Sequence, residues 1–484
     1  MQENTNDEKV CDEKLMNKNE SGVQRRTVLK QGVAAAAFGL IGNRTALAQQ
    51  QAPAIATGTQ AGRRFRAWVQ NGLLPGGIDG VEELTLLNDL QPRQVLIRTE
   101  ASAPCYTLVQ QGIGGTPMIE APGFIEQDQV PQISNHTAIG LVEAVGADVR
   151  RVQPGDRVII GVVAQCGQCY MCLRGRADHC QFSMGIVDPV RYFPPFATRD
   201  DGTEIRASIG IGGLSELTVA YEEYLCPVFT ELPAEQLSLL GDTAAAGFGT
   251  VMGVMPIEPG SDVVVLGAGP VGMSAVQAAR IVGAAQIIVS EPIAHRREMA
   301  LQLGATTVLD PNAEGDGLVE RIRELCKGPT DRWFAGGRGW ANTRTTGFTN
   351  LDNRGPDFTI EAVGRTGDRP LVELPPDPSG ILPMQQAWEF TRRGGEICYL
   401  GFGQPGEVSY PATGFANFGR TVYAGQQGGL NMMRDLPRLV KLVESGEFDL
   451  ETIVTSTWSL DQTDQALQVV SDRTEMAPVV VFDN

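Results

Sequence analysis

Val263-Val264-Val265-Leu266 is an unbroken apolar run, and it ends on Gly267-Ala268-Gly269-Pro270-Val271-Gly272. An apolar stretch without polar alternation suits a strand buried on both faces, as in a parallel sheet. The Gly-x-Gly-x-x-Gly that follows opens a helix, predicted over Val271–Val282. Gly267 permits the tight turn, Gly269 lets a pyrophosphate approach the backbone, and Gly272 brings helix against strand. The helix N-terminus, with Pro270 and Val271 in its first turn, then faces phosphate charge. A strand at Gln286–Ser290, a helix at Ile293–Leu303 and a strand near Thr307-Val308-Leu309 continue the alternation. That pattern predicts a doubly wound α/β domain binding a dinucleotide. Glu291 lies nineteen residues past Gly272, where an acid would hold both ribose hydroxyls of NAD and repel a 2′-phosphate. Arg296 and Arg297 are close enough to keep NADP open as the less favoured cofactor. The bland alternative for Glu291 is a surface acid at a strand end.

Upstream the texture is different. Gln94–Thr99, Ile139–Val145 and Asp156–Ile160 read as short strands separated by Gly and Pro turns, and predict a β-rich domain. Cys166, Cys169, Cys172 and Cys180 give Cys-x2-Cys-x2-Cys-x7-Cys. Thiolates this close repel one another unless a cation neutralises them, and tetrahedral zinc does so while stapling a loop with little core. Two disulfides and an iron–sulfur cluster are the alternatives. A structural zinc is the expectation.

Length allows two or three domains: 484 residues is more than one ordinary core. The net charge of −18 repels phosphate backbones and argues against nucleic acid as a partner. Gln24-Arg25-Arg26-Thr27-Val28-Leu29-Lys30, the apolar run Val33–Ile41 and Ala46-Leu47-Ala48 follow in the order of a twin-arginine signal peptide over 1–48. Its apolar run is short of the ~20 residues a bilayer needs. Export of a folded protein to the periplasm or another extracytoplasmic space is therefore expected, with the twin-arginine machinery as partner. Residues 49–62 read as a linker.

Three further residues are candidates for a second metal. Cys105 sits just past a strand, His136 sits before one, and Asp242 precedes a run of small residues. Catalytic zinc uses three protein ligands and keeps one position open. Taken singly, a buried thiol, a hydrogen-bonded loop histidine and a helix N-cap aspartate explain them equally well.

Their order decides between these readings. Cysteine, histidine, four cysteines thirty residues on, an acid sixty further and then the glycine fingerprint resemble the zinc-containing medium-chain alcohol dehydrogenase family. Val152–Val158, Gly212-Gly213-Leu214-Ser215-Glu216 and Arg393-Gly394-Gly395-Glu396 carry the same resemblance, which covers about residues 62–484. It implies a GroES-like catalytic domain over 63–242, a Rossmann domain over 243–424 and a C-terminal return to the catalytic domain over 425–484. It also implies two zinc ions per chain, with Cys105, His136 and Asp242 holding the catalytic one, and a homodimer or homotetramer. Thr107 matches the hydroxyl that begins the family's proton relay. Gln110 stands near the place of a histidine that continues the relay in some members, so water must finish the path. Tyr106 and Thr137 depart from the family's usual residues beside the ligands. Residues 328–357 and 365–384 look like inserted loops, and the one after Glu361-Ala362-Val363-Gly364 resembles the formaldehyde dehydrogenase branch, implying tightly held NAD. The expected reaction is hydride transfer between an alcohol or aldehyde and NAD. A zinc-free quinone or enoyl reductase and a catalytically silent binding protein on this fold are the rivals.

Overall fold

The computed structural model describes residues 59–71, 77–107, 109, 131–183, 194–327, 354–364, 372, 380–401 and 407–483. The arginine pair, the apolar run, Ala46-Leu47-Ala48 and Gln110 lie outside them. The chain divides into two compact units, Met1–Gln51 and Ala52–Asn484, and the structure below is that of the second. Among the described residues no single helix is long and apolar enough to cross a membrane.

The first half is β-rich. Strands β1 (Arg64–Gln70), β2 (Gly80–Leu86), β7 (Ala197–Thr198), β8 (Glu204–Ala207) and β4 (Gln132–Ile133) close a barrel in that order. Beside it runs a sheet ordered β10 (Leu225–Pro227), β6 (Arg157–Ile160), β5 (Ala138–Val145), β3 (Gln94–Ser102), β18 (Ala477–Val481) and β17 (Val454–Ser459). A further strand, β9 (Leu217–Tyr221), also pairs with β3. The end of the expected linker is anchored rather than free. Asp89 Oδ1 accepts from Thr59 Oγ1 and from the amides of Gln60 and Ala61 at 2.5–3.0 Å.

Helices α1 (Tyr170–Leu173), α2 (Ala234–Leu237) and α3 (Thr243–Gly249) lead into the second half. There β13 (Thr307–Leu309), β12 (Gln286–Ser290), β11 (Asp262–Leu266), β14 (Phe358–Glu361), β15 (Glu396–Tyr399) and β16 (Thr421–Tyr423) form one sheet in that order, with every pair parallel. The order reverses at β11 and β14, which opens a crevice at their carboxyl ends. Helices α4 (Pro270–Ile281), α5 (Ala294–Leu303), α6 (Pro311–Glu314) and α7 (Leu318–Leu325) make the crossovers on one side of the switch. On the other side lie α8 (Ile381–Phe390) and α9 (Ala412–Asn417). Of the two loops expected at 328–357 and 365–384, most residues lie outside those described, and 381–384 open α8 instead.

Beyond residue 425 the sequence reading expected short strands, and here the fold differs. Helix α10 (Met432–Glu444) precedes β17, and α11 (Thr463–Ser471) joins β17 to β18. Met432, Leu436, Leu439, Val440 and Val443 are all buried at helical spacing on α10. Asn431 caps it by accepting from the Arg434 amide. Pro437 in its first turns disguises this period in the sequence.

One buried apolar cluster unites the halves, running from Ala101 and Ile159 through Leu239 and Phe248 to Val263 and Met273. Each such side chain contributes about 1.5–3 kcal/mol by leaving water. Gly247 of α3 admits α4 at close range, because a Cβ there would collide with the Val271 carbonyl. Buried Gln165 adds a polar tie, donating to the Leu430 carbonyl at 2.7 Å and accepting from the Met432 amide at 2.8 Å.

Candidate active site

Strand β3 delivers Cys105, the turn before β5 delivers His136, and the turn between α2 and α3 delivers Asp242. One ligand atom from each lies within 4.8 Å of the other two. His136 is buried, while Cys105 and Asp242 are partly so. Asp242 stands at the N-cap of α3, yet its side chain makes no capping bond. Its Oδ2 faces His136 Nε2 at 3.1 Å instead. Burial opposes charge on His136, but Cys105 and Asp242 raise its pKa to about 10. Burial would raise the Asp242 carboxyl, and the His136 bond together with Cys105 holds it below its usual range. A cysteine sulfur and a carboxylate converging on an imidazole form a set for one divalent cation, since zinc accepts sulfur, nitrogen and oxygen ligands in one tetrahedron. The residues fit the ion.

The His136 turn is held by residues that the sequence reading passed over. Asn135 has φ +68°, a left-handed conformation that asparagine tolerates better than most residues. Its buried Nδ2 donates to Ser102 Oγ at 2.7 Å and to the Ala103 carbonyl at 2.9 Å, tying the turn to the end of β3. Thr137 hydroxyl reaches the Ile160 carbonyl at 3.2 Å and the Ser238 carbonyl at 3.3 Å. It therefore joins the His136 turn to the segment that carries Asp242. Gly241 makes room for this contact, because a Cβ there would collide with Thr137 Oγ1. Buried Gln427, at φ +49°, donates its side-chain amide to the Gly241 carbonyl. For Asn135, Thr137 and Gly241 the only advance signal was adjacency to a ligand, and Gln427 had none. Thr107 points its hydroxyl at Cys105 Sγ, 3.3 Å away.

A cleft beside this group is lined by Cys105 and Tyr106 and by Gly267, Gly269, Pro270, Val271, Glu291 and Arg296. Gly267 has φ +86°, and a Cβ on it would press on the Ala362 carbonyl at 2.9 Å. At Gly269 a Cβ would meet nothing within 4 Å, so the backbone there borders open space that a ligand can fill. Gly272 instead packs helix against strand, where a Cβ would collide with the Gly267 carbonyl. Glu291 is buried, not a surface acid. It accepts from the Ala268 amide at 2.7 Å and the Ile293 amide at 3.0 Å. Arg297 turns away to the Glu291 carbonyl at 2.7 Å and to Asp310 at 3.1 Å.

The four cysteines of the other cluster also meet, with every Sγ within 4.8 Å of the rest. None of the described cysteines is in a disulfide. The amides of Cys166, Cys169, Cys172 and Gln181 donate to these sulfurs at 3.3–3.5 Å, an arrangement suited to thiolates around a cation. The group sits apart from the cleft and lines no part of it.

Residues 91–230 match the alcohol dehydrogenase GroES-like domain, and residues 270–368 match the zinc-binding dehydrogenase domain. The chain is 25% identical over 406 residues to an NDMA-dependent alcohol dehydrogenase of Amycolatopsis methanolica, covering 83% of this chain and 95% of the relative. It is 27% identical over 392 residues to an S-(hydroxymethyl)glutathione dehydrogenase of Haemophilus influenzae, covering 80% and 90% respectively. In fold it is similar to a benzyl alcohol dehydrogenase of Acinetobacter calcoaceticus, with TM-score 0.68 and 22% identity, covering 87% of this chain and 100% of that one. The two matched domains and these relatives place the likeness of this chain among zinc-type alcohol dehydrogenases, in the GroES-like and zinc-binding dehydrogenase regions.

Proposed function

We propose that this chain is a zinc-dependent dehydrogenase that moves hydride between an alcohol or aldehyde and NAD. The observation that carries the reading is the convergence of Cys105, His136 and Asp242, with Cys105 lining a cleft that Glu291 and the glycine fingerprint line as well. When bound, zinc polarises the substrate C–O bond and the nicotinamide accepts or returns the hydride.

The chain's own residues do the rest. Cys105, His136 and Asp242 would hold the ion, and the two anionic ligands balance its charge. Thr107 hydroxyl would take the substrate proton while releasing its own to water. Tyr106, Leu239, Val363 and Met476 line the cleft, and their apolar surfaces keep bulk water from the reacting carbon. Glu291 supports NAD over NADP, because a 2′-phosphate beside a buried carboxylate is repelled. The cysteine cluster would hold a second, structural zinc.

Native mass spectrometry of the purified protein, paired with a dehydrogenase screen across alcohols and aldehydes, tests the reading. Two zinc ions and NAD-linked turnover are expected. One zinc with quinone or enoyl reduction, or full metal with no turnover on any substrate, would overturn it.

Export in the folded state is part of the same proposal and rests on the order of Arg25-Arg26, the apolar run and Ala46-Leu47-Ala48. Free NAD is scarce outside the cytoplasm, so the cofactor is bound before export and stays bound. A reporter fused to residues 1–60 should reach the periplasm, and replacing both arginines by lysine should stop it. Protein purified without added cofactor should release a dinucleotide absorbance on denaturation. The active species is a homodimer or homotetramer, which light scattering on the eluted protein measures.

A further inference from the structure

After β16 the chain passes through three consecutive left-handed residues, Gln427 at φ +49°, Gly428 at +64° and Gly429 at +72°. Two of the three are glycine, which adopts this conformation without steric cost, and the first is not. The turn is seated on α3, the helix that opens directly after Asp242. A Cβ on Gly428 would collide with the Ala246 carbonyl, and one on Gly249 would press on the Gly428 carbonyl at 2.7 Å. Just beyond, Gln165 holds the Leu430 carbonyl and the Met432 amide. Backbone packing and Gln165 thus fix the turn without help from the Gln427 side chain.

That side chain is 8% exposed and only half satisfied. Its Nε2 donates to the Gly241 carbonyl, 186 residues away in sequence, while its Oε1 has no hydrogen-bond partner. An apolar side chain would avoid the buried orphan acceptor, and glycine would avoid the left-handed crowding. Outliers of this kind gather where a site needs them. The single bond that Gln427 makes goes to one peptide. The Gly241 carbonyl lies in the same rigid plane as the Asp242 nitrogen. Asp242 itself is neither helical nor extended, at φ −147° and ψ −84°, and its carboxylate makes no capping bond. The peptide plane before it therefore sets where that carboxylate points. The Val162 amide donates to the same carbonyl at 3.1 Å, and Gln427 is the second donor. Thr137 holds this segment three residues earlier, at the Ser238 carbonyl.

We propose that Gln427 is a positioning residue for the Cys105, His136 and Asp242 set: by clamping the Gly241–Asp242 peptide it aims the Asp242 carboxylate at His136 and the ion. The inference rests on the reading of those three residues as a zinc site. Its test is the full chain, loaded with zinc and titrated with a chromophoric chelator. The parent should give up two ions, one from each set. Gln427→Met keeps the length of the side chain and removes both amide atoms. It should weaken zinc at the Cys105 set about ten- to a hundredfold, the usual loss when a group that orients a ligand is removed. Zinc at the four-cysteine cluster should keep its affinity. Gln427→Gly suits φ +49° and also lacks the amide, so it should lose zinc from the same set by the same factor. Because Gln427 acts through Asp242, Gln427→Met should melt no lower than Asp242→Ala. A parent whose zinc is all on the cluster defeats the metal reading itself. A parent with two ions, and variants that hold both as tightly, would overturn the assignment of Gln427. Equal losses at both sets, or a melting temperature below that of Asp242→Ala, would overturn it as well, since either marks the residue as a general support of the fold.

Discussion

Asp242 occupies the N-cap of a helix but gives its carboxylate to His136, 3.1 Å away, and leaves the helix uncapped. A capping aspartate is worth about 1 kcal/mol to its helix. Its diversion makes a stability measurement diagnostic. Asp242→Ala should lower the melting temperature of the metal-free protein, because buried His136 loses its partner, and zinc in the loaded protein should fall from two ions to one. Turnover should fall by at least about a hundredfold, given several kcal/mol of lost charge stabilisation. Melts and metal analysis of the purified variant check the first two outcomes and steady-state kinetics the third.

Asn135 supports the same site through its backbone. Asn135→Ala puts a residue that resists φ +68° into the turn and removes the donor to Ser102 and Ala103. The expected cost is about 2–4 kcal/mol, from left-handed strain and orphaned acceptors together. Asn135→Gly should cost less, because glycine relieves only the strain. Denaturant melts of the two variants separate the contributions, and both should bind catalytic zinc more weakly while the cysteine cluster stays loaded.

Cys172 lies in a cluster that touches no part of the cleft. Cys172→Ser should therefore lower the melting temperature by at least about 4 °C and remove one zinc. Freshly prepared protein should keep its KM for substrate. A raised KM at constant stability would show that this lobe shapes the cleft after all.

Glu361 closes β14 and accepts from the amides of Val363 at 2.7 Å and of Gly364 and Gly401 at 3.3–3.4 Å. Burial raises its carboxyl to about 7 against the pull of those amides. The folded state then holds a proton that the unfolded state has released above pH 4.5. This contribution is full below pH 4.5 and fades as pH rises toward 7. The stability gap between the parent and Glu361→Gln should accordingly shift by up to about 3 kcal/mol between pH 4.5 and 7.5. Melts across that range measure it, and a constant gap would mean that the three amides keep Glu361 ionised throughout.

The parts of this fold that were legible in the sequence are those in which local pattern and chemistry coincide. Val263–Leu266 and the three glycines of the fingerprint were readable because strand burial, tight turn and helix start all fall within eleven residues, 262–272. The cysteine cluster was readable from spacing alone. Cys105, His136 and Asp242 were not readable singly, since nothing near Asp242 says whether its carboxylate caps a helix or leaves it. Only their order along the chain spoke for a common ion. Asn135 and Gln427 were invisible for another reason. Their roles depend on a left-handed φ and on partners from distant segments, and neither leaves a periodic trace. The helix Met432–Glu444 was missed because Pro437 reads as a break, yet it stands inside a helix whose buried face, Met432, Leu436, Leu439, Val440 and Val443, outweighs the amide bond it lacks.

Strand β18 lies between β17 and β3, so the strand that leads to Cys105 is completed by residues from the far end of the described chain. Pairings this remote in sequence form late and slowly. During synthesis, then, the four cysteines are all present long before Met476 and Ala477 complete the cleft. The fold thereby orders its own assembly: the strand that leads to Cys105 gains this neighbour only after residues 477–481 have been made.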